Sequence, residues 1–177
     1  MLIGLLYGCG LRCMEVRSVR LQDLDFDREQ LKVVQGKGKK DRYVPLSKHL
    51  IRGLKTYIEA EKPKTYLFNG QPKGRAGGDT SSSLSTCFDS RYSQRGVQWA
   101  VKQACKSAGI TKEVYVHTLR HTFATHLLED GLDIITLKNL LGHEQIETTM
   151  EYLHIAQLDT IKAFSPLDTL FEKCSRK

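Results

Sequence analysis

Five stretches of this chain place apolar residues three and four positions apart, the spacing that lines one face of a helix. Ser47 heads a run to about Glu61 with Leu50, Ile51, Leu54, Tyr57 and Ile58 on one side, and Pro63 stops it. Comparable patterns cover about Ser93 to Ser107, Leu119 to Glu129, Ile134 to Leu141 and Glu147 to about Leu158. Upstream, Met1 to Gly8 reads as the end of a helix and Arg12 to Arg20 as a short one. The exception is a pair of β-rich runs, Leu31 to Val34 and Tyr43 to Leu46, around Gly36-Lys37-Gly38-Lys39-Lys40-Asp41, which reads as a hairpin with a basic loop. Asp23 and Asp25 mark a break before it. The expected class is mainly α with a small antiparallel β-sheet (α+β), without internal repeats.

A chain of 177 residues is one domain's worth and needs no staple to make a core. Its cysteines, Cys9, Cys13, Cys87, Cys105 and Cys174, are odd in number and scattered, with no Cys-x-x-Cys pair, so reduced structural thiols are expected and zinc is not. No apolar run is long enough to span a bilayer, and no basic residue precedes the Gly-interrupted run at Met1. A soluble, cytoplasmic protein without membrane contact is expected. Lys and Arg outnumber Asp and Glu by 27 to 20, a net charge of +7 that favours a polyanionic partner without identifying it.

The chemistry is concentrated in His117-Thr118-Leu119-Arg120-His121, in Leu141-Gly142-His143 and in Tyr152. On a helix starting near His117, residues 117, 120 and 121 share a face, which brings an imidazole and a guanidinium to one place. Such a group suits a phosphate. Arg12, at the entrance to a short helix, and Lys37, in the Gly-flanked loop, are further cations that could reach it. The step from His117 to His121 has the spacing of a zinc pair, but no Glu lies between them and no third ligand is placed, so no metal is expected.

These residues carry a family resemblance. Gly10-Leu11-Arg12 with Glu15, the hairpin from Gly36 to Arg42 followed by Val44-Pro45-Leu46, His117-x-x-Arg120, Leu140-Leu141-Gly142-His143, and Tyr152 nine residues on resemble, in order, the boxes of the tyrosine recombinase (phage integrase) catalytic domain of Xer type. The resemblance covers Leu5 to about Leu158. It implies a site-specific recombinase that cleaves and rejoins DNA through a covalent 3′-phosphotyrosyl intermediate, with no cofactor. Tyr152 would be the nucleophile, Arg12 and Arg120 would hold the non-bridging oxygens, His143 would add a hydrogen bond to them, His117 would assist proton transfer and Lys37 would protonate the leaving 5′ oxygen. Glu15 and His121 would support these groups from behind. Lys37, Lys39, Lys40 and Arg42 would contact the DNA backbone.

The resemblance also implies partners and boundaries. Duplex DNA is the expected substrate, bound by a homotetramer that is monomeric free in solution, with a second recombinase as a possible partner. Residues 1–177 are expected to be one catalytic domain lacking the N-terminal clamp domain of its family, with a mobile loop at 70–90 and a tail at 159–177 that could pass between protomers. Two other readings stay open: a non-enzymatic helix-turn-helix module built from Leu119 to Leu141, and a type IB topoisomerase.

Overall fold

A computed structural model describes residues 1–34, 41–70, 90–153 and 156. The chain begins with helix α1 (Leu2–Gly8) and helix α2 (Cys13–Ser18), then a 3₁₀ turn (Leu21–Asp23). Three strands follow, β1 (Leu24–Asp25), β2 (Gln30–Val33) and β3 (Arg42–Pro45). Helices α3 (Lys48–Glu61), α4 (Gln94–Ser107), α5 (Val116–Glu129), α6 (Ile134–Leu141) and the single turn α7 (Glu147–Met150) complete it. The mainly helical class with a small antiparallel sheet is what the sequence indicates.

The hairpin pairs Leu31 with Val44 and Val33 with Arg42. The sheet gains a strand that the sequence reading did not contain, because Leu24 pairs with Leu31 and Asp25 with Gln30. The supposed break at Asp23 and Asp25 is therefore a tight entry into an edge strand, with Asp23 taking the backbone N–H of Arg20 (3.0 Å).

Helix limits follow from local chemistry. Ser47 and Ser93 accept from the N–H groups of Leu50 (3.2 Å) and Gly96 (2.9 Å), and Asp133 accepts from Ile135 (3.0 Å) and Thr136 (2.9 Å). The last helical pattern, read as far as Leu158, is helical only through Met150 among the described residues. Beyond it Tyr152 and Leu153 bond to the carbonyls three residues back, Thr149 and Met150, so the turn tightens. The inward-facing Thr149 and Tyr152 account for this, since both are buried against the rest of the domain. The 70–90 segment leaves and returns side by side, Gly70 N–H donating to the Ser90 carbonyl (2.9 Å). Residues 71–89 and the 159–177 tail lie outside the described residues.

Two apolar clusters organise the interior. The larger joins Leu5 and Leu6 of α1, Leu31 and Val44 of the sheet, Leu54 of α3 and Val97 of α4. The smaller joins Phe123, Ala124 and Leu128 of α5 with Leu137 and Leu141 of α6 and with Tyr152. Helix α5 packs on both α1 and α6, so its first turns lie between the clusters.

Gly10 lies at the junction. Its φ is +58°, and a Cβ there would fall 2.4 Å from Cδ1 of Phe123. Gly10→Ala is expected to lose roughly 2–4 kcal/mol of stability, from the left-handed backbone and the overpacking together. Chemical denaturation of the two proteins measures this directly.

Candidate active site

Because α5 begins at Val116, His117, Arg120 and His121 stand on successive turns of one face. Arg120 is only 1% exposed. Its Nη1 donates to the Gly10 carbonyl (2.5 Å) and its Nη2 to the Leu141 carbonyl (2.7 Å) and to His143 Nε2 (3.1 Å). One guanidinium thus fastens the turn before Arg12 to the end of α6. Burial and the neighbouring Arg12 lower its pKa to about 10, which leaves it charged at neutral pH.

Glu15 balances this charge. Its carboxylate accepts from the Arg12 backbone N–H (2.8 Å), from Arg12 Nη1 (2.9 Å), and from Arg42 Nη1 and Nη2 (2.9 and 2.8 Å), with Arg120 Nη1 at 3.9 Å. Burial alone would raise its pKa. The Arg42 hydrogen bonds and charge, with those of Arg12, bring it down to about 2.

Arg42 corrects the sequence reading. Expected to face the DNA backbone, it is turned inward, its Nε donating to the Leu140 carbonyl (2.8 Å). It lies on the same side of β3 as the buried Val44, a period-two signal that was present in the sequence.

Helix α6 ends at Gly142, whose φ of +64° lets the chain reverse so that His143 N–H caps the Lys138 carbonyl (3.1 Å). A side chain at Gly142 would press on Arg42, 3.0 Å from its Cδ. The reversal brings the His143 ring parallel to that of Tyr152, with centroids 6.3 Å apart. Nδ1 of His143 lies 2.9 Å from Oγ1 of Thr149. His121 fills the other side, its ring 4.6 Å from that of His117 and 5.1 Å from that of Tyr152.

Burial, and after it the nearby cations, set the protonation states. Burial, then Arg120, Arg12 and Arg42, lower the His143 pKa to about 4, so its imidazole is neutral. Burial, then His121, Arg120 and Arg12, lower that of His117 as well. Tyr152, 3% exposed, has its pKa raised by burial although Arg120 pulls against the rise. A protonated phenol thus faces the neutral imidazole of His143 in a field of guanidinium groups.

The structure brings Arg12, His117, Arg120, His121, His143 and Tyr152 to the wall of one cavity of about 350 Å³. Glu15 lies behind the arginines. Lys37, Lys39 and Lys40 lie outside the described residues. Thr149 was missed: it is fully buried and touches His143, and its only sequence signal was a threonine one helical turn before a tyrosine.

A family model for the phage integrase family matches residues 1–158. The chain belongs to the phage integrase family. It is 38% identical over 169 residues to a tyrosine recombinase of Pseudothermotoga lettingae, covering 94% of this chain and 53% of that protein. It is 35% identical over 156 residues to tyrosine recombinase XerC of Oceanobacillus iheyensis, covering 88% of this chain and 48% of that one. The chain therefore spans about half the length of these curated relatives. Among solved structures, XerA recombinase superposes with a TM-score of 0.69 at 27% identity, over 98% of this chain and 55% of that one. XerH bound to palindromic difH substrate in a post-cleavage complex also gives 0.69, at 26% identity, over 88% of this chain and 42% of that one. The fold is that of a tyrosine recombinase catalytic domain. Among the described residues no helix is long and apolar enough to cross a membrane.

The Arg12–Glu15 pair rests here on Arg42. Because the Glu15 pKa of about 2 lies below its ordinary 4.5, its stabilisation is complete above pH 4.5 and is lost as pH falls toward 2. Arg42→Gln leaves the carboxylate short of partners, and a loss of roughly 3–5 kcal/mol is expected. The remaining acid transition should begin at higher pH than in wild type, as followed by circular dichroism on acid titration.

Proposed function

We propose that this chain is the catalytic part of a site-specific DNA recombinase, which cuts and rejoins strands through a 3′-phosphotyrosyl intermediate. The observation that carries this reading is the cavity in which the Tyr152 phenol meets Arg12 and Arg120 among three histidines. A metal-free route to phosphodiester cleavage needs a nucleophile, a proton acceptor and fixed positive charge at the non-bridging oxygens. That cavity offers all three.

Tyr152 Oη attacks phosphorus and gives its proton to the neutral His117, while Arg12 and Arg120 hold the oxygens on which charge develops. The bond from phosphorus to the 5′ oxygen breaks, and Lys37 protonates the departing oxygen. An arriving phosphate offsets the arginines that, after burial, keep His143 neutral, so Nε2 can give up its bond from Arg120, take up a proton from solvent and bond to a phosphate oxygen. His121 backs Tyr152. The bond energy is retained in the phosphotyrosyl ester, so the reverse reaction rejoins the strand without a nucleotide cofactor.

Duplex DNA is the partner, with Lys37, Lys39 and Lys40 reaching its backbone. Recombination cuts every strand of two duplexes, so a site with one tyrosine works as a tetramer on DNA. Its substrate places the protein in the cytoplasm.

The test is a nicked suicide substrate that traps the covalent product. Wild type should give an SDS-resistant adduct that Tyr152→Phe abolishes and Arg120→Ala slows on the order of 10²–10³-fold. Specific binding with no adduct would instead mark a helix-turn-helix module, and relaxation of supercoils without a specific site would mark a topoisomerase. Binding by this chain alone should weaken steeply with salt, because the contacts supplied are to phosphates.

A further inference from the structure

Arg120 can only donate hydrogen bonds. Its Nη2 lies 3.1 Å from His143 Nε2, so that nitrogen must present its lone pair. In a neutral imidazole the proton is then on Nδ1, and the group 2.9 Å from Nδ1 is Oγ1 of Thr149, which must accept it. Free imidazole favours the opposite tautomer, with the proton on Nε2. A fixed acceptor at Nδ1 is therefore needed to hold the form that Arg120 requires.

Thr149 is built for this. It is fully buried, and its backbone N–H is fixed on the Ile146 carbonyl (2.8 Å). The Tyr152 N–H bonds in turn to the Thr149 carbonyl (3.1 Å), so the residue that faces His143 also begins the turn carrying Tyr152. His143 itself is held from the other side by the reversal at Gly142.

We propose that Thr149 is a positioning residue that locks His143 in the Nδ1–H tautomer, so that Nε2 orients Arg120 and is the only ring nitrogen able to take up a proton. Its role in the reaction rests on the recombinase reading above; the tautomer itself does not. The surroundings of the ring fit a neutral state: burial, then Arg120, Arg12 and Arg42, oppose its protonation, and Glu15 favours it.

The experiment is nitrogen-15 NMR of the histidine-labelled chain near neutral pH, with the His143 signals assigned by His143→Gln. Wild type should show Nδ1 protonated and Nε2 bare. Thr149→Val, which keeps the shape and removes the acceptor, should shift His143 toward the Nε2–H form, and Thr149→Ser should restore the wild-type pattern. With a suicide DNA substrate, Thr149→Val should cut the single-turnover cleavage rate by about 10- to 100-fold, the range for losing an outer partner of an active-site histidine, with DNA affinity unchanged and Thr149→Ser restoring the rate. A wild-type His143 protonated on Nε2, or a Thr149→Val spectrum identical to wild type, overturns the proposal. A tautomer that shifts while the cleavage rate does not overturns its catalytic role. Absence of any wild-type adduct sinks the recombinase reading and leaves the NMR result to stand or fall by itself.

Discussion

The carboxylate of Glu15 is buried where the guanidinium groups of Arg12 and Arg42 close on it and that of Arg120 approaches. Three like charges would otherwise repel one another, and the two that are buried, Arg42 and Arg120, would be costly to leave unpaired. A single anion converts that repulsion into a scaffold. Through Arg42 it reaches the sheet and the Leu140 carbonyl, and through the Arg12 backbone it caps the helix that Arg12 begins. Segments far apart in sequence are drawn together at one carboxylate.

The scaffold retains positive charge after Glu15 is satisfied, and this surplus sets the chemistry. Together with burial, the larger cause, it keeps His143 neutral with a pKa of about 4 and lowers that of His117. Burial holds the Tyr152 phenol in its protonated form, although Arg120 pulls against it. Arg120 connects the two functions, since its hydrogen bonds end on Gly10, Leu141 and His143. It belongs to the architecture as much as to the reaction.

Much of this was legible beforehand because it depends on local rules. The 3.6-residue spacing of Leu50, Ile51, Leu54, Tyr57 and Ile58 needs only a helix to become a buried face, and Ser47 and Pro63 bound it by their own backbone chemistry. The step from His117 through Arg120 to His121 likewise fixes a shared face. Less was legible where partners are distant. Strand β1 forms because Leu24 meets Leu31, and the two-residue segment carries no periodicity to announce it. Arg42 reads as one more cation in a basic loop until the strand register turns it toward Glu15.

The sequence by itself determined the helical segments, the hairpin and the shared face of His117, Arg120 and His121, because periodicity, capping and local spacing act within a few residues. Only the tertiary structure decided which cations are scaffold and which face the cavity, and which nitrogen of His143 bears a proton. Those properties depend on burial and on hydrogen-bond geometry between Glu15, Arg42, Arg120, His143 and Thr149, residues that come within reach of one another only when α5, α6 and the sheet have packed.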